Sequence, residues 1–275
     1  MGTAVPCPYF MVDRPMPRLS HIFIYPIKSL DGVSVTQTKI LSGGALAHDR
    51  EFAIVDQQGK WVNGKRTAAV HQVRSQFHLN ARVVTLSVQG KNPVSFHLDH
   101  GRSAIAAWLS DFFGFAVEFQ QNTVTGFPDD PISPGPTLIS TASIERVASW
   151  FPDVSVEEMR TRLRTNLEIT DVPAFWEDRL YSDDQPIEFQ LGEVLIQGVN
   201  PCQRCVVPTR DAISGATTAQ FQKTFVVKRK AELPTWAAAS RFNHFYRLAV
   251  NTRIASSEAG KSLRVGDAIK TLLID

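Results

Sequence analysis

Short β-rich runs, each closed by a turn signal roughly every ten residues, constrain this chain more than any other feature of its sequence. His21 to Ile27 is apolar and is stopped by Pro26 and the polar residues that follow. Val33 to Leu41 alternates in part. Phe52 to Val55 is a compact apolar run, and the turn Asp56-Gln57-Gln58-Gly59 leads from it into Lys60-Trp61-Val62. Phe77 to Val88 and Val94 to Leu98 continue the series, and strands return after Asn166 through Ile187 to Gly198, Arg247 to Ile254 and Leu263 to Ile274. A chain that keeps making short strands must bury one face of each and manage its edges, so a sandwich or barrel is expected.

Helices are fewer. Ser103 to Phe113 is amphipathic and meets a stop at Gly114. Ser140 or Thr141 can cap a helix running to about Trp150. Ser155-Val156-Glu157-Glu158 is a capping box whose helix should reach about Leu163. Gln220 to Trp236 reads as a charged, partly helical insertion. The fold expected is mainly β with some helices, an α+β chain. Phe127 to Pro136 holds four prolines and Gly135, which marks a loop and a domain boundary. The division is then a tail over residues 1–20, a first domain over 21–125 and a second over 126–275.

Composition removes several functions. Net charge is +2, from 29 basic and 27 acidic residues, so bulk electrostatics give no reason to expect nucleic-acid binding and any basic site must be local. No apolar run approaches the roughly 18 residues a transmembrane helix needs, and Met1 to Ser20 carries no apolar signal core. Three cysteines without a secretion signal argue against a disulfide framework and for a reducing compartment, the cytoplasm.

Two of those cysteines share the run Asn200-Pro201-Cys202-Gln203-Arg204-Cys205-Val206-Val207-Pro208-Thr209. Thiolate is the soft ligand of zinc, iron–sulfur clusters and high-valent metals, and a neighbouring cation such as Arg204 favours the charged form of a thiol. A single CxxC is half a zinc site, and no second CxxC or HxxxH accompanies it. Pro208 argues against the helix that a thioredoxin-like motif needs, and two buried structural thiols remain an alternative. Three other clusters carry cations. Tyr25-Pro26-Ile27-Lys28-Ser29 puts a point charge and a hydroxyl at a strand end, as phosphate sites do, or is simply a solvated end. In His48-Asp49-Arg50, Asp49 can steady Arg50 toward an anion, or form a surface ion pair of little consequence. Arg162-Leu163-Arg164-Thr165-Asn166 ends the capped helix, where cations also serve as ordinary dipole partners. The seven histidines show no metal-ligand spacing.

The order of these motifs resembles the MOSC family: YP-x-KS on the first strand, DR before an apolar strand, R-x-N after a helix, then C-x-R-C with a hydrophobic pair and a threonine. Leu263-Arg264-Val265-Gly266-Asp267 looks like that family's closing turn, and the likeness runs from about His21 to Asp275. It implies a two-part chain, an N-terminal MOSC β-barrel region followed by the MOSC domain, similar to the mitochondrial amidoxime-reducing component and its bacterial relatives. It also implies the molybdenum cofactor (molybdopterin), with Cys205 as the protein ligand to the metal and the catalytic position, and Cys202 as a neighbour without that role. Lys28, Ser29, Arg50, Ser140, Arg164 and Asn166 match cofactor-contacting positions, Lys65 falls where relatives carry an arginine, and Asn200 is a candidate neighbour. The resemblance admits a pyridoxal phosphate association as well. The implied activity is reduction of N-hydroxylated or N-oxide-like small molecules. Some relatives carry a ferredoxin-like domain with four cysteines, and no cysteine follows Cys205 here, so electrons are expected from a separate ferredoxin- or flavoprotein-like donor. The alternative is a non-enzymatic carrier of molybdenum cofactor or sulfur, with a persulfide on Cys205.

Overall fold

The structure is a computed structural model that describes residues 16–271. Cys7, most of the expected tail and the last residues of the expected closing strand lie outside them. The first part of the chain forms β1 (Arg18–Ile24), β2 (Val33–Val35), β3 (Gln37–Lys39), β4 (Phe52–Asp56), β5 (Arg74–His78), β6 (Val83–Ser87), β7 (Val94–His97), α1 (Arg102–Phe113) and β8 (Val117–Gln121). The second forms β9 (Leu138–Ser140), α2 (Thr141–Ala148), α3 (Val156–Leu163), β10 (Leu167–Thr170), β11 (Ile187–Leu191), β12 (Val194–Gln203), α4 (Phe221–Ala231), β13 (Arg247–Arg253), β14 (Ser262–Arg264) and β15 (Ile269–Thr271). The chain is mainly β with four helices among the described residues, as expected.

The expected closed barrel is not found. The largest sheet has eight strands in the order β15-β11-β12-β13-β9-β10-β1-β2, and smaller sheets pair β14 with β3, β4 with β8, and β5-β6-β7. Near the two ends of the large sheet, Leu19 N donates to Asp267 O (2.8 Å), Gly266 N to Leu19 O (2.8 Å) and Val265 N to Thr36 O (2.9 Å), and β14 pairs with β3 over three residue pairs as a separate sheet. β1 and β2 come from the first part of the chain and pair antiparallel to β10 and to each other, so one sheet spans both parts.

Several sequence expectations change in the same way. Phe77 to Val88 is two strands, because Arg82 turns left-handed at φ 54°. Leu263 onward is also two, split at Gly266 with φ 97°. β12 runs on to Gln203 and carries Cys202 within it. The expected insertion at Gln220 holds α4, which buries Phe221, Phe225 and Arg229 at successive turns of one face. Both helix caps hold: Ser140 accepts from Ser143 N and Ser155 from Glu158 N.

Three apolar clusters fill the interior. One lies against the eight-stranded sheet around Ile22, Leu138, Phe189 and Ile196. A second joins Phe52, Val84 and Leu109 in the first part, with the Phe52 and Phe119 rings stacked at 4.9 Å. A third packs α2, α3 and α4 together. β12 approaches its neighbours closely at Gly198, where a Cβ would meet the Leu180 carbonyl oxygen and carbon. Backbone cannot move aside as a flexible side-chain end can. Gly198→Ala is therefore expected to destabilise the fold by about 3 kcal/mol, read as a lower denaturation midpoint.

The helical cluster holds a buried polar network. Arg229, fully buried, donates to Asp178 Oδ2 (2.5 Å) and lies between the Phe175 and Phe242 rings at 4.3 and 5.0 Å. Glu177 accepts from Ser140 N (3.2 Å) and Ser143 Oγ (2.9 Å), while its Oε1 finds no partner. Burial first, then the Asp178 charge, pushes the Glu177 carboxyl up to about 7. A carboxyl raised in the folded state stabilises fully below its unfolded value and loses that contribution as pH rises through the folded one. His71, lowered to about 4 chiefly by burial, acts oppositely: its contribution is present above its unfolded value and is lost as pH falls. The difference between wild type and Glu177→Gln isolates the first effect. The wild type should lose on the order of 2 kcal/mol relative to the variant between about pH 5 and about pH 8, measured by urea denaturation. Parallel stability curves would contradict this.

Candidate functional site

One end of β1 collects the cations. Lys28 N donates to Phe52 O (2.8 Å), and Arg50 N to Tyr25 O (2.8 Å), so the segment after β1 runs beside the entry to β4. Phe23 N donates to Asn166 O (2.7 Å), which brings the turn between α3 and β10 alongside. Three segments distant in sequence thus present Lys28, Arg50 and Arg164 to one cavity of about 410 Å³. β12 completes it. Register slips against β13 between Gly198 and Asn200 and between Pro201 and Gln203 bend the ladder, and Cys202, Arg204, Cys205 and Arg210 line the opposite part of the wall.

Of the residues singled out in the sequence, Lys28, Ser29, Arg50, Lys65, Arg164, Asn166 and Cys205 all line this cavity. Ser140 and Asn200 do not. Ser140 is fully buried and its hydroxyl is committed to the α2 cap, to Ser143 Oγ (2.7 Å) and to Pro173 O (3.3 Å), so its role is to start a helix. Asn166 lines the wall but its amide is also spent: Oδ1 accepts from Arg50 Nη1 (3.0 Å) and Thr137 N (3.2 Å), and Nδ2 donates to Phe23 O (3.0 Å). It orients Arg50.

Three of these residues hold the backbone in the left-handed region without being glycine: Ser29 at φ 74°, Arg50 at 48° and Arg164 at 53°. Each such residue costs about 1 kcal/mol, and clustered strain of this kind marks functional sites.

The cations differ in how far the protein satisfies them. Asp49 pairs with Arg50 and also accepts from Tyr25 N (2.9 Å). This ion pair is largely buried, unlike the surface pair its sequence also allowed. Lys28 is buried as well, its side chain 9% exposed, and donates to Phe127 O (2.8 Å) and Asp129 Oδ1 (2.5 Å). Arg164 has neither a carboxylate nor a hydrogen-bond acceptor among the described residues. Its guanidinium lies 4.3 Å from the centroid of Tyr25, the ring that Arg50 covers at 5.0 Å. Burial first, and then Arg50, weaken its hold on the proton. Burial also pushes the Tyr25 phenol up to about 12, so the ring stays a neutral support.

Sequence reasoning missed part of the wall. Arg74 and Arg210 line it, as do Asp129 from the proline-rich loop and His71. The Nε atoms of Arg74, Arg204 and Arg210 and the Nε2 of His71 are buried without a hydrogen-bond partner. Arg210 belongs to the cysteine run and could have been found there; the others carry no local signal. Arg204 donates through Nη1 to Cys202 Sγ (3.4 Å) and through Nη2 to Leu163 O. The expected help from Arg204 thus goes to Cys202. Both thiols are free and half-buried, and no group of three His, Cys, Asp or Glu side chains suited to a metal ion occurs among the described residues.

The fold is β-rich, and cations and two cysteines line one cavity in which several buried nitrogens lack a hydrogen-bond acceptor. The model of the MOSC N-terminal beta barrel domain matches residues 16–116, and that of the MOSC domain matches residues 123–270. The chain belongs to the MOSC family. It is 27% identical over 226 residues to a molybdenum cofactor sulfurase from Drosophila mojavensis, covering 70% of this chain and 28% of that protein. Its identity to the molybdenum cofactor sulfurase of Homo sapiens is 22% over 255 residues, 74% of this chain and 28% of the relative. Molybdenum cofactor sulfurase 1 of Aedes aegypti is 39% identical over 83 residues, 30% of this chain and 11% of the relative. The chain thus spans less than a third of the length of these relatives.

Proposed function

We propose that this chain is a molybdenum-cofactor-binding oxidoreductase that reduces N-hydroxylated or N-oxide-like small molecules with electrons from a separate donor protein in the cytoplasm. The observation that carries the reading is Arg164: a guanidinium paired with no carboxylate among the described residues, on strained backbone, lining the same cavity as Cys205. The residues fit a pterin dithiolene with a phosphate. Lys28, Lys65 and Arg164 offer charge to the anionic part, with Arg50 held behind them by Asp49 and Asn166. Arginine gives a planar fork to phosphate and lysine a point charge. Buried Nε donors of Arg74, Arg204 and Arg210 offer further hydrogen bonds, and Cys205 offers one thiolate to the metal. When bound, the cofactor supplies the oxygen-accepting redox chemistry; the protein supplies position and charge. Among the described residues no helix is long and apolar enough to cross a membrane.

The names of the relatives favour a second reading, in which the chain carries molybdenum cofactor or sulfur, with a persulfide on Cys205, and performs no reduction. Protein purified from a host that makes molybdenum cofactor separates the two. Turnover of an amidoxime with a chemical reductant supports the reductase. Cyanide-labile sulfur lost in Cys205→Ala, without such turnover, supports the carrier.

A further inference from the structure

Within this cationic cavity one carboxylate stands out. Asp129 lies in the loop that joins β8 to β9, and that loop is fastened on both sides of it. Phe127 N donates to Arg50 O (2.8 Å) and the Phe127 ring packs edge-on against Trp61 at 5.1 Å. Asp130 accepts from Ile132 N (3.0 Å), Ser133 N (3.3 Å) and Asn251 Nδ2 (3.3 Å). The Asp129 side chain takes part in none of these anchors. Its Oδ1 accepts from Lys28 Nζ (2.5 Å) and its Oδ2 meets Lys65 Nζ at 3.3 Å. Two lysines 37 positions apart in sequence, on separate segments, converge on the two oxygens of one carboxylate. That is how a phosphate group is held.

The carboxylate is also displaceable. Its side chain is 61% exposed, so a ligand entering from solvent can reach both its oxygens and the two ammonium groups they occupy. Lys28, by contrast, is nearly buried and keeps the Phe127 carbonyl as an acceptor whatever Asp129 does. The surrounding protein desolvates even this partly exposed carboxylate and works against its charge, yet Lys28 first, then Lys65 and Arg50, hold its carboxyl well below the usual range, so it stays an anion.

We propose that Asp129 is a built-in occupant of the anion subsite, holding Lys28 and Lys65 in the unliganded protein and giving them up to a phosphorylated ligand. This rests on the reading above, that these cations serve such a ligand. Asp129 then sets the ligand's affinity by competition: it orders the two lysines in advance, and it raises the threshold that a weak anion must pass. A singly charged anion gains little over the carboxylate it replaces, whereas a di- or polyanion gains a net charge interaction. The site therefore selects for phosphate esters and pyrophosphate over chloride or acetate.

The test is calorimetric titration of inorganic pyrophosphate into protein from a host lacking molybdenum cofactor, comparing wild type, Asp129→Asn and the double variant Asp129→Asn/Lys28→Met. Asp129→Asn keeps the size of the side chain and removes the charge. It should bind pyrophosphate about tenfold tighter than wild type, and the double variant should lose that gain. Equal or weaker binding by Asp129→Asn overturns the proposal, as does no detectable binding to either protein. Unchanged thermal midpoints for the single variant confirm that the loop is intact. The molybdenum content of protein from a cofactor-making host is a separate readout. If it is high while pyrophosphate affinity ignores Asp129, the competition fails and the cofactor reading stands. If it is absent while Asp129→Asn still tightens pyrophosphate, the subsite stands and the cofactor reading fails.

Discussion

Cys205→Ala is expected to bring bound molybdenum down to background, whereas Cys202→Ala should keep it near the wild-type level. The two thiols are three residues apart and line one cavity, but they are not equivalent. Cys202 is still on β12, packs partly against the helical core and receives Arg204 Nη1 at 3.4 Å. Cys205 has left the strand and receives no hydrogen bond among the described residues. A metal ligand must keep its sulfur free to bond, and Cys205 does. Elemental analysis of both variants, purified beside the wild type from a host that makes molybdenum cofactor, reads this directly. Equal losses in the two variants would show that the pair acts as a unit and would remove the distinction between them.

Arg164→Gly should separate binding from stability. Arg164 ends α3 at φ 53°, the position where helices favour glycine. Glycine there relieves about 1 kcal/mol of left-handed strain and forfeits a cation–π contact on Tyr25 of about the same size. The thermal midpoint should therefore move by no more than about 4 °C. Affinity for an anion should behave otherwise. Losing a charge-assisted contact of about 1.5–3 kcal/mol weakens binding about 10- to 100-fold, measurable with pyrophosphate on the cofactor-free protein. A large stability loss with unchanged affinity would assign Arg164 to the fold alone.

What could be read from the sequence was mostly local. Ser140 and Ser155 marked their helices because a cap is made with residues three positions away. Gly114 marked the end of α1 because it turns left-handed there, at φ 75°. Barrel closure was not legible in this way, since it depends on how segments from opposite ends of the chain, such as β3 and β14, come to pair. The cation set was legible as a list but not as an arrangement. Nothing near Lys28 indicates that it is buried; its partners Phe127 and Asp129 lie about a hundred positions away. Arg164 looked like an ordinary dipole partner at a helix end, and only the ring of Tyr25, brought in beside β10 by β1, shows what holds it there. Ser140 is the converse case: the resemblance matches it to a cofactor-contacting position, while its hydroxyl, outside the cavity lining, serves the cap that the sequence also shows.

The most direct measurement is the molybdenum-to-protein ratio of the full chain purified from a host that makes molybdenum cofactor, with protein from a host lacking it as the blank. The account predicts near-stoichiometric molybdenum that stays with the protein through gel filtration. A ratio indistinguishable from the blank would contradict it.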